Sequence, residues 1–166
     1  MAEAAGLNVL AAGAPDVIER EQPFLDAIGT RTGNLGQQPE QANVVKILGN
    51  YLVACAIQSL GDATGMTEHV GGRPTQLIDL LTTTLFPGAV YTSYGSLIAE
   101  HRYQPAGFTT SLGRKDVHLA LDTARDGGLI PPFGDALRTA LDKAVGRGHG
   151  DDDRASIAEL QRPART

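Results

Sequence analysis

The sequence predicts a mostly α-helical chain with a short βαβ unit at its amino end. Three observations predict this. Two brief runs suited to strands flank a proline-initiated amphipathic stretch, all within about thirty residues. From Pro39 onward, apolar residues recur at helical spacing. Pro and Gly pairs then punctuate the helical stretches: Pro87-Gly88, Gly127-Gly128 and Pro131-Pro132.

The elements follow in order. Residues 7 to 12, Leu-Asn-Val-Leu-Ala-Ala between Gly6 and Gly13, read as a short buried strand. Pro15 suits the first turn of a helix, where a missing N–H costs nothing. Asp16, Glu19 and Glu21 complement its dipole, and Val17, Phe24, Leu25 and Ile28 supply an apolar side that Gly29 ends. Residues 30 to 35 read as the second strand. Two strands have open edges and enclose no core by themselves. A long helix follows over 39 to 66, roughly 40 Å at 1.5 Å per residue, with Val44, Leu48, Tyr51, Leu52, Cys55 and Leu60 at helical spacing. Further helices are expected from Pro74, from Tyr91 to His101, from Thr109 to Arg125 and from Phe133 to Val145. The Thr109 helix offers Leu112, Val117, Leu119, Leu121 and Ala124 as its apolar face. Asp151 to Asp153 cap a short last helix over Ala155 to Leu160. The tail 162–166 is expected to fray.

Composition narrows the function. The chain has 166 residues, 42% apolar and 20% charged, which suits one folded domain or slightly more. Fourteen Lys and Arg against nineteen Asp and Glu give a net charge of -5. A nucleic-acid partner calls for a basic face, so that class is not expected. The single cysteine, Cys55, excludes an internal disulfide and a thiolate zinc site, and a reducing cytoplasm is the expected compartment. Cys55 reads as an inert thiol on the apolar side of the long helix. No unbroken run of 18 apolar residues occurs, so no membrane span is expected. The amino end has no positively charged lead-in and no continuous apolar stretch, so no secretory signal is expected either. His118 and His149 are too isolated for a metal site, His69 and His101 read as solvent-facing loop or helix-end residues, and Asp151 to Asp153 lack the glutamate of a calcium loop.

Two segments carry chemistry. In Gln41-Ala-Asn-Val-Val-Lys46-Ile-Leu-Gly49-Asn50, Lys46 and Asn50 are four apart and project from one helix face, with Asn43 on the same side. A lysine so placed can donate a proton to an oxygen that gains negative charge, or stabilise it. An amide can orient a hydroxyl or a carboxylate. The second segment is Lys115-Asp116-Val-His-Leu119-Ala120, a charged pair on an otherwise apolar helix.

With these motifs, the chain resembles the C-terminal part of the β-hydroxyacid dehydrogenase family, which includes 3-hydroxyisobutyrate dehydrogenase and is related to the imine reductases. The family pattern is Lys-x-x-x-Asn on a long interdomain helix, then Lys-Asp before Leu-Ala about seventy residues later. Also similar are Pro23 to Gly29, Leu35-Gly36 and the closing Gly150-Asp-Asp-Asp153. Arg154 stands where the family often has an aromatic residue.

The resemblance implies that residues 1–37 are the end of a Rossmann-type domain and that 38–161 form a helical substrate and dimerisation domain. It implies an NAD(P)-dependent oxidoreductase acting on a small β-hydroxyacid, or reducing the matching semialdehyde or ketoacid. Lys46 would be the general acid/base and Asn50 would hold substrate. Lys115 would approach the nicotinamide end of NAD or NADP, with Asp116 orienting it. The partner would be a second copy of the chain. The family's Gly-x-Gly-x-x-Gly cofactor loop does not occur in this sequence. The chain alone is therefore expected to be inactive and to bind no cofactor tightly. The alternative is a non-catalytic helical interaction module derived from the same family. Substrate identity and the choice between NAD and NADP are not written in these residues.

Overall fold

The computed structural model describes residues 6–162. Strand β1 (Leu7–Ala11), helix α1 (Pro15–Ile28) and strand β2 (Gly29–Asn34) come first, and β1 pairs with β2 in parallel. Register runs Asn8 to Arg31, Val9 to Thr32, Leu10 to Gly33 and Ala11 to Asn34. Then come α2 (Glu40–His69), α3 (Pro74–Thr83), α4 (Ala89–Ala99), α5 (Thr110–Asp126) and α6 (Gly134–Gly146). Two short 3-10 helices, His149–Asp151 and Arg154–Gln161, close the chain. The mostly helical fold with an N-terminal βαβ unit is the one the sequence predicts.

The chain forms two compact units that meet inside α2, one ending at Gly49 and the other starting at Asn50. In the first, Ala11 is the one described apolar residue that is buried, and α1 buries none of its side chains. The second holds the core: Ile57 and Leu60 of α2, Ile78, Ile98, Val117, Leu121, Leu137 and Leu141, closed by Ala155, Ile157 and Ala158 of the last 3-10 helix.

The buried face of α2 differs from the one its large residues suggest. Of Val44, Leu48, Tyr51, Leu52, Cys55 and Leu60, only Leu60 is buried, while Leu48 and Leu52 are exposed. The buried side is Ala54, Ala56, Ile57, Leu60, Gly61, Thr64 and Gly65. Its small residues let backbone approach closely. A Cβ built on Gly61 would lie 2.9 Å from the Ala158 Cα, and one on Gly65 would lie 2.9 Å from the Gln161 carbonyl oxygen. On α5 likewise, Leu112 and Leu119 are exposed, whereas Thr110, Gly113, Val117, Ala120 and Leu121 face inward.

By length and composition alone, α2 could cross a bilayer, its best window having a mean hydropathy of 1.4. The unbroken-run criterion misses it because Asn50, Gln58 and Asp62 interrupt its apolar residues. Residues 163–166 of the expected frayed tail lie outside the described residues. Arg162 is anchored rather than frayed: its Nη2 donates to the Ile98 carbonyl at 2.8 Å and its Nη1 lies 3.2 Å from Glu68.

Candidate active site

The closing acidic run positions α5. Asp153 is 3% exposed, and its carboxylate accepts from the Gly107, Phe108 and Ala155 amides at 3.0, 3.2 and 3.0 Å. It thus caps the last 3-10 helix, as its position in the sequence suggests, and also gathers the loop that enters α5. Thr110 is fully buried and bonds the Asp152 and Asp153 carbonyls and the Ser156 hydroxyl. Thr109 caps α5 by accepting from the Leu112 amide. Such satisfied polar groups fix one backbone course where an apolar core would tolerate several.

That scaffold brings one residue of each motif together, Asn50 and Asp116. The Asn50 Nδ2 donates to the Asp116 Oδ2 at 2.5 Å, across 66 residues of sequence, and both side chains are half-buried. A carboxylate only accepts hydrogen bonds, so this contact fixes which end of the Asn50 amide faces Asp116. Lys115 is exposed, and no carboxylate oxygen among the described residues lies within 4.0 Å of it. Lys46 and Asn43 are exposed on α2, in the unit that ends at Gly49.

The other candidates have structural partners. His149 meets Asp152 at 2.8 Å and His118 meets Asp142 at 3.4 Å. A hydrogen bond from Gln104, then one from His149, holds the Asp152 carboxyl below its usual range. The bond from Arg114 does the same for Asp142. Burial pushes the Cys55 thiol up, which keeps it protonated and unreactive. Sequence reasoning missed the Asn50–Asp116 contact, since no local signal links positions so far apart. It also gave Arg154 no role beyond its departure from the family pattern, although a charged residue in an apolar closing helix is a signal of burial with a purpose.

The fold is that of 3-hydroxyisobutyrate dehydrogenases. The Salmonella typhimurium enzyme superposes with a TM-score of 0.87 at 19% identity, over 96% of this chain and 55% of that one. The Mycobacterium tuberculosis 3-hydroxyisobutyrate dehydrogenase, solved with L-serine, gives 0.83 at 22% identity, over 98% and 57%. The family described as the NAD-binding domain of NADP-dependent 3-hydroxyisobutyrate dehydrogenase matches residues 41–161, and the chain belongs to that family. An uncharacterized oxidoreductase of Bacillus subtilis, YfjR, is 30% identical over 92% of this chain and 53% of its own length. Glyoxylate/succinic semialdehyde reductase 1 of Arabidopsis thaliana is 27% identical over 95% and 54%. The 3-sulfolactaldehyde reductase of Escherichia coli is 28% identical over 94% and 52%. The chain thus spans about half the length of the curated relatives it matches.

Proposed function

We propose that this chain is the helical half of an NAD(P)-dependent oxidoreductase that interconverts a small β-hydroxyacid and the matching semialdehyde or ketoacid. The observation that supports the reading is the Asn50–Asp116 bond, which pairs one residue of each motif. Asp116 holds the nitrogen end of the Asn50 amide, which leaves Oδ1 as an acceptor for a substrate hydroxyl. Lys46, one helical turn earlier on α2, gives or takes the proton on the substrate oxygen. Lys115 fits the nicotinamide end of the cofactor, because its ammonium is exposed and no carboxylate among the described residues draws it off. A nicotinamide held there would accept the hydride when the hydroxyacid is oxidised and give it back when the carbonyl is reduced. Its phosphates need a Gly-rich loop that this sequence does not contain, so tight binding belongs to a protein that has one.

The exposed Leu48, Leu52 and Met66 of α2 suit a second copy of the chain as partner. This reading needs neither nucleic acid nor membrane, and the free Cys55 suits a reducing, cytoplasmic compartment.

The experiment is Lys46→Ala in a protein that also holds the dinucleotide-binding half. A positioned acid/base is worth roughly 10²–10⁴ in rate, so turnover should fall at least about a hundredfold while cofactor affinity barely moves. Lys46→Arg should be nearly as damaging, since a guanidinium holds its proton too tightly to exchange it. More than about half the parent rate left in Lys46→Ala would show the role of Lys46 to be wrong and leave the family membership without an assigned acid/base.

A further inference from the structure

Arg154 takes no part in the chemistry above. It is 8% exposed, and its guanidinium carbon lies 4.5 Å from the centre of the Phe108 ring and 5.0 Å from that of Tyr94. Its Nε and Nη2 donate to the Tyr94 hydroxyl at 2.9 and 2.6 Å. Its Nη1 is buried and has no hydrogen-bond partner among the described residues. No carboxylate oxygen among the described residues lies within 4.0 Å of the group. The adjacent acid, Asp153, is already committed to three backbone amides.

An arginine does not lose its proton inside a protein, so this is a buried positive charge. Aromatic faces and a hydroxyl attract such a charge but do not neutralise it. Buried charges are ordinarily paired, because removing one from water is expensive. The missing counter-charge therefore points to a group that arrives from solution.

We infer that Arg154 is a receptor for a small oxyanion, which the Nη1 binds. Phe108, half-buried on the loop that enters α5, lies over the guanidinium, so an anion reaches Nη1 only where that ring turns aside. The place is informative. Arg154 packs on Gly113, where a Cβ would lie 3.4 Å from the Arg154 Cβ, and Gly113 is one turn before Asp116 on α5. The anion that fits best is the carboxylate of the small hydroxyacid. That identity rests on the functional reading above, whereas the existence of the receptor does not. A phosphate group offers the same chemistry and is the other source.

The test uses this chain with two probes, glycerate and inorganic phosphate, at matched ionic strength. The readout is the ¹⁵N–¹H signal of the Arg154 Nε, assigned by its loss in Arg154→Gln, together with calorimetric titration. A saturable shift of that signal is expected, with glycerate binding at least about tenfold more weakly to Arg154→Gln and to Arg154→Phe. The phenylalanine variant keeps a flat side chain against Tyr94 and Phe108, so it serves if the glutamine variant fails to fold. Arg114→Gln removes a surface cation paired with Asp142 and should leave binding unchanged. Binding of phosphate alone would support the receptor and overturn its assignment to a hydroxyacid. An Arg154 signal that moves with neither probe, or equal affinity in the Arg154 variants, would overturn the receptor itself. Either result is independent of what Lys46→Ala does to turnover.

Discussion

Tyr103 shows how much a single side chain can decide at a distance. Its hydroxyl donates to the Glu159 Oε1 at 2.6 Å, and the same carboxylate meets the His101 Nδ1 at 3.1 Å. Burial first, then the Glu159 carboxylate, holds the Tyr103 phenol protonated well above its usual range. The folded state therefore keeps a proton that the unfolded chain gives up near pH 10. The stability this represents is fully present below pH 10 and is lost as pH rises beyond it, by at most about 1.4 kcal/mol per unit and less where water screens the pair. Tyr103→Phe should cost about 1 kcal/mol at neutral pH, for the lost hydrogen bond. It should also flatten the alkaline fall. Urea unfolding between pH 7 and 11 checks both, and a parallel fall in the variant would assign the alkaline loss to another group. Nothing in the sequence marks Tyr103, because its partner is 56 residues away. Asn50 and Asp116 are legible as residue types in two motifs. Their contact is not, since it depends on how α2 and α5 cross, and no local pattern encodes that.

The elements themselves are largely legible, because Pro, Gly and capping residues act locally. Pro15 and Pro74 begin α1 and α3, Thr109 caps α5 and Asp153 caps the last 3-10 helix. Which face of a helix is buried is less legible. Large apolar residues announce where burial is favourable, but the partner laid on α2 is the backbone of a 3-10 helix, and that approach selects glycine and alanine. Two substitutions separate these effects within one helix. At Gly61 an added methyl meets the Ala158 Cα and Cβ at 2.9 and 3.0 Å, atoms of a packed backbone that cannot swing away. Gly61→Ala should destabilise by about 1–3 kcal/mol through overpacking. At Gly49 an added methyl meets nothing within 4 Å. There the gain in helix propensity acts alone, and Gly49→Ala should stabilise by roughly 0.5–1 kcal/mol. Thermal or urea melts of both variants give the comparison. The same sign at the two positions would mean that close packing of the 3-10 helix on α2 is not what selects glycine at 61.

For the whole molecule, the decisive contrast is between its two compact units. The unit that starts at Asn50 draws buried residues from α2, α3, α4, α5, α6 and the closing 3-10 helix into one core. The unit that ends at Gly49 has a two-stranded parallel sheet, helix α1 and the first turns of α2, and Ala11 is its one described buried apolar residue. Two parallel strands leave unpaired edges, and such a sheet is ordinarily covered on both faces. Little apolar area therefore opposes opening of β1, α1 and β2, whereas opening α5 exposes Val117, Ala120 and Leu121 together. Stability is then unequal along the chain, and local opening at the amino end need not cross the global barrier. Native-state hydrogen exchange on this chain should show backbone amides of β1 and β2 exchanging at least about a hundredfold faster, relative to unstructured rates, than those at the centre of α5. A hundredfold corresponds to about 2.7 kcal/mol of opening free energy, a modest demand given the difference in burial. Added denaturant should lower α5 protection steeply, since its opening exposes the shared core, and β1 protection only slightly. Equal protection and equal denaturant dependence in both units would mean that the βαβ unit is held by the same cooperative core as α5, and that the division at Gly49 has no energetic counterpart.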